Sequence, residues 1–576
     1  MSTDLSAVDE LFAKRFEEGL TPALAYAVVR HGEIVHEGAF GTTRLDPERR
    51  PDADSVFRIA SMSKSFIASA ILLLRDRGLV DLDEAVAQYL PELVDQPPYS
   101  PDSPAVTLRL LLTMAGGLPS DNPWGDRQES LSYDAFGTFL DGGFAVGREP
   151  GTFFEYSNVG YALLGRVVAN VTGADAPEGA ERAFVEAELL GPLGMTATAY
   201  DVATVGPALV PGHVRRGGAW VELPPTPPGA FSAMGGLHST LRDLATWVGG
   251  FTSAFDAKAD AHPLSKASRR ELQQLQRIEA VTGTLSVDGP EPGVGAVAAG
   301  YGFGLMVDHD ARLGQIVHHS GGYPGYGSRM VWHPDTGVGV VTLSNATYAG
   351  AYDQAMTATR LLARAELDAG GPTRWSTVVR GLRPRVDAAL AAAIERLRAF
   401  DPEGGESFAD PRLFADNVEL DVPDDERRTQ LGAARDRVGL PLGGAPYGYW
   451  SRTMGHAFAV VPAERGRYDV DLLLSPEAEP RIQSLRAVAV TDATADVLAA
   501  AREALAADTP VAAAMRAFGD PELIEAPLAD EPGRPTELLV VAGPTYWKLL
   551  VGQDVTLTAH PTSEHDRLGY LTHALR

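Results

Sequence analysis

The sequence predicts an α+β protein, and three observations carry that prediction. Strand-like segments at residues 23–30 and 33–40 lie far in the chain from a second run of strand-like segments between 301 and 343, so one sheet is assembled from distant parts of the chain. The intervening stretch, about 81–201, follows helical periodicity. At 576 residues the chain also exceeds a single hydrophobic core, and mixed helices and strands resume beyond residue 372.

The elements follow in order. Leu5, Val8, Phe12 and Phe16 fall on one side of a helix, as in a first helix packed on a folded domain. ALAYAVVR (23–30) and EIVHEGAF (33–40) flank His31-Gly32, a hairpin signature. After a loop rich in Pro, Asp and Arg, Val56-Phe57-Arg58-Ile59 leads into an apolar helix that begins near Ser61 and stops at Gly78. Residues 281–300, rich in Gly, Pro, Val and Ala, are expected to form a long surface loop. Strands are expected at 301–307, 315–317, 328–332 and 337–343, then a helix over 352–369. Gly370-Gly371-Pro372 reads as a domain boundary. Beyond it come an alanine-rich helix at 385–400 and strand candidates at 417–420, 456–461 and 468–474. From about 491 there are two helical runs and a β-rich tail over 536–560. The expected division is therefore 1–369, 373–490 and 491–576.

Composition excludes several classes of function. A formal net charge of −27 repels nucleic acid and anionic lipid. The absence of cysteine removes disulfide scaffolds, thiolate nucleophiles and Cys-ligated zinc together. No apolar run approaches a membrane span, residues 71–74 being only a short stretch. The start MSTDLSAVDELFAKRFEEGL lacks the basic and then unbroken apolar pattern of a secretory signal, so a cytoplasmic protein is expected. No cofactor is expected. His309, His318, His319 and His333 share no metal-ligand spacing, so no metal site is assigned.

Three short motifs carry the chemistry. Ser61-Met62-Ser63-Lys64 at a helix start puts the Lys64 amine and the Ser61 hydroxyl on one face, where a lysine with a lowered pKa can take the serine proton. The helix N-terminus also favours an oxyanion near Ser61. Ser63 has no lysine three residues on and is the weaker nucleophile candidate. In Tyr156-Ser157-Asn158, a tyrosine whose pKa is pulled down by a neighbouring ammonium serves as general base, and the amide can both accept from and donate to a substrate. His319-Ser320-Gly321-Gly322, following a strand near Val317, lets a substrate backbone approach and offers the Gly322 N–H as a second oxyanion donor. Each motif alone also fits an ordinary cap or turn. Thr240 and Asp243 fit a helix start, and Trp124 and Tyr323 fit either pocket walls or core.

Together, in this order, the motifs resemble the serine β-lactamase and penicillin-binding superfamily, specifically its class C branch. VFRIASMSKSF, VTLRLLLTMAGGLP, PGTFFEYSNVGYALLG, MGGLHSTLRDLATW and HHSGGYPGYGSRMVWHP look like family blocks, and the resemblance covers residues 5–365. It implies an antiparallel sheet flanked by helices, an all-helical subdomain and a site between them. It also implies Ser61, Lys64 and Tyr156 as catalytic residues, with Asn158, His319, Ser320, Gly321 and Gly322 binding substrate. Two departures stand out. His319 replaces the lysine of β-lactamases and many carboxypeptidases, as in the branch's esterases and D-aminopeptidases. Met114-Ala115-Gly116 replaces the more usual His-Thr-Ser in a supporting loop. The resemblance therefore implies acyl transfer from a small ester or peptide substrate. A β-lactamase or D-alanyl-D-alanine carboxypeptidase, and a non-catalytic penicillin-binding-like receptor, stand as alternatives. The C-terminal α+β region, with a cystatin-like form among the options, has no residue cluster with chemical logic. Capping the cleft, forming a homodimer and binding a partner are all open to it.

Overall fold

The computed structural model describes residues 5–559 apart from 46, 144–145, 174–175, 257–258, 287–292, 311–312, 369–382, 402, 405–406, 444–446, 451–454, 531, 543–544 and 553. The expected boundary at 370–372 lies outside the described residues. The chain divides into two compact units, residues 1–282 with 297–377, and residues 283–296 with 378–576.

Helix α1 (Ser6–Glu17) buries Val8 and Phe12, the apolar side expected of it, and Phe12 stacks on Tyr26 at 4.1 Å between centroids. Tyr26 lies on β1 (Ala23–Arg30), a strand buried along nearly its whole length because it is covered on both faces. Its hairpin partner β2 (Glu33–Gly41) is the more exposed edge. The turn between them holds His31 at φ 49° and Gly32 at φ 88°, the left-handed pair a tight two-residue hairpin requires.

Helix α2 (Lys64–Asp76) follows a short 3₁₀ turn, Ala60–Ser63, and every residue from Lys64 to Leu74 is buried. An all-round apolar sequence makes a central helix rather than a surface one. It ends where Gly78, at φ 71°, donates its N–H to the Arg75 carbonyl at 2.8 Å. Helix α3 (Asn158–Thr172) lies beside α2, and α4 (Leu241–Thr252) is capped as expected by Thr240, which accepts from the Asp243 N–H at 3.1 Å. From α4, Trp247 stacks on Phe66 at 3.8 Å and donates to the Ser65 hydroxyl at 3.0 Å, anchoring α2.

The remaining strands are β3 (Arg277–Ser286), β4 (Gly293–Tyr301), β5 (Met306–Asp310), β6 (Gly314–Tyr323), β7 (Tyr326–His333) and β8 (Val338–Ser344), followed by helix α5 (Tyr352–Asp368). They form one eight-stranded sheet in the order β2-β1-β8-β7-β6-β5-β4-β3. Its centre pairs β1 with β8 antiparallel, Leu24 opposite Ser344, so the two ends of this unit's sequence meet as expected.

Three expectations for this unit are corrected. Of the stretch 281–300, the described residues 281–286 and 293–300 are strand: β4 pairs with β5 from Val297 opposite Asp310 to Tyr301 opposite Met306, and backbone pairing outweighs the weak β-propensity of glycine and alanine. The single strand expected over 301–307 is broken, with Gly304 at φ 69° packed so tightly on α2 that a β-carbon there would lie 2.6 Å from the Lys64 carbonyl. The His319 motif lies inside β6 rather than after it, with His319 opposite Met330 and Gly322 opposite Gly327.

In the second unit the strands Tyr447–Trp450, His456–Ala463, Gly466–Leu474 and Ile482–Thr491 form one antiparallel sheet. The strands Pro521–Ala529, Thr536–Ala542, Thr545–Val551 and Val555–Ala559 form another. Helix Arg383–Ala399 packs Leu390 and Ile394 into the core of the first, and helices Ala495–Ala506 and Pro510–Arg516 pack Leu505 and Met515 into that of the second. Residues Asn417–Asp421 are helical, not the strand expected from their composition; Asn417 donates across to the Gln483 carbonyl at 2.9 Å instead of joining a ladder.

Candidate active site

Ser61 sits in the 3₁₀ turn before α2 and is partly exposed, whereas Ala60, Met62 and Ser63 are buried. The turn is pinned on both sides: the Ile59 N–H donates to the Leu237 carbonyl at 2.9 Å, and the Ser328 hydroxyl donates to the Ile59 carbonyl at 2.8 Å. Between these anchors Ala60 is held at φ 47°, a left-handed conformation that a β-carbon disfavours and that persists only where surroundings over-determine it. Gly321 makes the fit against β6 possible, since a β-carbon there would come within 2.1 Å of the Ile59 carbonyl. Ser63 is fully committed elsewhere, donating to the Ala60 carbonyl at 2.7 Å and accepting from the Leu237 N–H at 3.1 Å.

Lys64 has no exposed surface. Its Nζ lies 3.0 Å from Ser61 Oγ, 2.7 Å from Asn158 Oδ1 and 2.7 Å from the Met234 carbonyl. Burial pushes its pKa down from the ordinary lysine range to about 7, with the charges of Asp121 and Asp126 opposing a further fall.

Asn158 is equally buried, and its amide is spent on the protein. Oδ1 accepts from Lys64, while Nδ2 donates to Asp121 Oδ1 at 3.0 Å and to Asn122 Oδ1. Asp121 also caps α3, accepting from the Asn158 and Val159 N–H groups at 2.8 and 2.7 Å. The structure thus gives Asn158 the position of a support for Lys64.

Tyr156 lies beside this pair, its ring centroid 5.0 Å from Lys64 Nζ. Part of its surface is open, yet burial and the negative charges of Asp121 and Asp126 push its phenol above the ordinary range; the hydrogen bond with Ser61 opposes them. The downward shift expected from a neighbouring ammonium is reversed, because desolvation is the dominant effect on the phenol. The loop carrying Tyr156 hangs on Met114: Glu155 N–H donates to its carbonyl at 2.8 Å and Ser157 N–H to its sulfur at 3.4 Å. Met114 therefore does occupy a supporting loop.

His319 is buried completely, and both ring nitrogens are occupied. Nδ1 lies 2.7 Å from the Ser320 carbonyl, which can only accept, so Nδ1 carries the proton and Nε2 accepts from the Tyr301 hydroxyl at 2.9 Å. Burial, reinforced by Lys64, drives its pKa well below the usual imidazole value. His319 is thus a neutral, buried residue of β6, while Ser320 and Gly322 are the motif residues with open surface.

A buried Arg58–Glu129 ion pair closes the floor; Arg58 also donates to the Gly235 carbonyl at 2.8 Å and lies 3.6 Å from the Tyr323 ring centroid. Tyr323 is therefore core, whereas Trp124 is 43% exposed. His333 bonds Thr336 and the Leu313 carbonyl, and His318 stands 3.3 Å from Asp308. Among the described residues no group of three or more His, Cys, Asp or Glu side chains is arranged to hold a metal, and no helix is long and apolar enough to cross a membrane. Asp121, Asn122, Asp126, Met234 and Tyr301 were not anticipated. The one available signal was the polar run SDNPWGD after the LLTMAGGLP block.

Comparison with known proteins places the chain in a family. Penicillin-binding protein 4* of Bacillus subtilis (strain 168) is 26% identical over 350 residues, 56% of this chain and 68% of that protein. Protein flp of Staphylococcus aureus (strain NCTC 8325 / PS 47) is 24% identical over 353 residues, 59% of this chain and 62% of that protein. The octameric penicillin-binding protein homologue from Pyrococcus abyssi superimposes with a TM-score of 0.52 at 17% identity, covering 97% of this chain and 99% of that one. Residues 8–365 match the Beta-lactamase family, and since that segment exceeds half of the chain, the protein belongs to this family.

Proposed function

We propose that the protein is a serine hydrolase that works through an acyl-enzyme on Ser61, cleaving an ester or amide as a carboxylesterase or D-amino-acid peptidase does. The observation that carries this reading is the desolvated Lys64 amine 3.0 Å from Ser61 Oγ, with its pKa lowered to about 7. A neutral amine has two N–H donors and one lone pair. Asn158 Oδ1 and the Met234 carbonyl take the two donors, leaving the lone pair for the Ser61 proton.

Proton transfer to Lys64 frees Ser61 Oγ to attack the substrate carbonyl, whose π electrons move onto oxygen. The resulting oxyanion is held by the N–H groups of Ser61 and Gly322. Tyr156, kept a neutral phenol by burial, gives its proton to the leaving oxygen or nitrogen and is reprotonated by the Lys64 ammonium. Collapse expels the leaving group, and water enters by the reverse relay to release the acid. The neutral, fully bonded His319 supports an uncharged substrate here, since a β-lactam or D-alanyl-D-alanine carboxylate would meet no cation at that position.

Labelling with a fluorophosphonate or penicillin probe tests the assignment. Ser61→Ala abolishes labelling and Ser63→Ala retains it; labelled Ser61→Ala protein overturns the reading. Turnover of p-nitrophenyl esters by the unaltered protein separates an enzyme from a receptor that only binds.

A further inference from the structure

Tyr348 follows β8 in a conformation aromatic residues rarely adopt, with φ at 53°. Its N–H donates to the Tyr326 carbonyl at 3.1 Å, which fixes the turn, yet the side chain remains 43% exposed. The ring lies across β6 at the proposed oxyanion residue: a β-carbon on Gly322 would fall 2.2 Å from Tyr348 Cδ1. Its hydroxyl donates to Oδ2 of Asp126, a carboxylate only 5% exposed. Asp126 in turn acts electrostatically on Lys64. A strained backbone, an open ring against the reacting strand and a buried acceptor thus meet in one residue outside the three motifs.

Building on the serine-hydrolase reading above, we propose that Tyr348 is a positioning residue of this site. Its ring walls the substrate side of Gly322, and its hydroxyl holds the Asp126 carboxylate within electrostatic reach of Lys64. The groups around Lys64 are Asp121, Asp126, Tyr156, Tyr161, His319, Asn158 and Ser61. Those around Asp126 are Tyr348, Lys64, Arg58, Arg127 and Glu129. Burial raises the Asp126 carboxyl, and the Tyr348 hydrogen bond is the largest effect opposing it. Without that bond Asp126 protonates more readily, the negative field on Lys64 weakens, and the amine becomes available at lower pH.

The experiment measures kcat and KM for p-nitrophenyl butyrate from pH 5.5 to 9 in the full-length chain, after fluorophosphonate labelling has shown Ser61 to be reactive. Absent labelling overturns the hydrolase reading itself, and with it this proposal. In a labelled, active enzyme, Tyr348→Phe keeps KM within about twofold and moves the acidic limb of kcat/KM down by about half a pH unit. Asp126→Asn moves it further, and Tyr348→Phe added to Asp126→Asn moves it no more. Tyr348→Ala, which also removes the wall, raises KM about tenfold. A Tyr348→Phe profile superimposable on that of the unaltered enzyme, with labelling intact, overturns the role of Tyr348 alone. So does a shift that persists undiminished in the Asp126→Asn background.

Discussion

Both compact units are antiparallel sheets with helices packed on them, but they spend their buried polar groups differently. In the N-terminal unit buried polar side chains reach across the sequence. Arg58 meets Glu129, 71 positions away, Lys64 meets Asn158, 94 away, and buried Asp126 accepts from the half-exposed Tyr348, 222 away. In the C-terminal unit they are mostly satisfied nearby. Arg427 bonds the Val418 and Val422 carbonyls within nine positions, and Arg467 pairs with Asp469 two positions on, reaching farther only to the Leu528 carbonyl. Local pairs form wherever the strand or helix forms. Long-range buried pairs require the whole tertiary fold and cost desolvation, so they are the more exposed to loss when the fold is perturbed.

Substitutions that separate the two patterns sharpen the contrast. The largest effect is expected at the Arg58–Glu129 pair, where both side chains are 1% exposed. Arg58→Met leaves a buried carboxylate without its cation and should cost about 3–5 kcal/mol, read as a lower midpoint in urea, together with most of the proposed hydrolase activity. Arg467→Met in the other unit should weaken folding of that unit while leaving kcat unchanged. Equal loss of activity in both variants would erase the distinction.

Next in size is the pH response. Because the Lys64 pKa is depressed to about 7, the amine is the available base above that pH and an ammonium below it. kcat/KM is therefore expected to rise through about pH 7 and to fall about tenfold per unit below it. An activity constant down to pH 5 would remove Lys64 from the base's role.

The smallest effect is expected at a local device. Thr494 caps helix Ala495–Ala506 by accepting from the Val497 N–H at 3.3 Å. Thr494→Ala should cost about 1 kcal/mol by thermal melting, with no change in kcat.

Much of the site was legible as residue types. A serine and a lysine three apart at a helix start share a face whatever the rest of the chain does, and the hairpin at His31-Gly32 follows from backbone sterics alone. The roles were less legible. The protein partners of Asn158 and His319 could not be read from their motifs: they are Lys64, Asp121, Tyr301 and the Ser320 carbonyl, drawn mostly from distant segments. Residues 281–300 were misread because small residues carry almost no strand signal until a neighbouring strand supplies hydrogen bonds.

The sequence by itself determined which serine and lysine share a face at the helix start, the central apolar helix and the strand-like character of the unit's two ends, all consequences of short-range spacing and apolar pattern. Only the tertiary structure decided protonation. Lys64 falls to about 7, Tyr156 rises and His319 stays neutral because each is surrounded by groups brought from elsewhere in the chain. Desolvation is a property of that surrounding volume, and no local stretch of sequence encodes it.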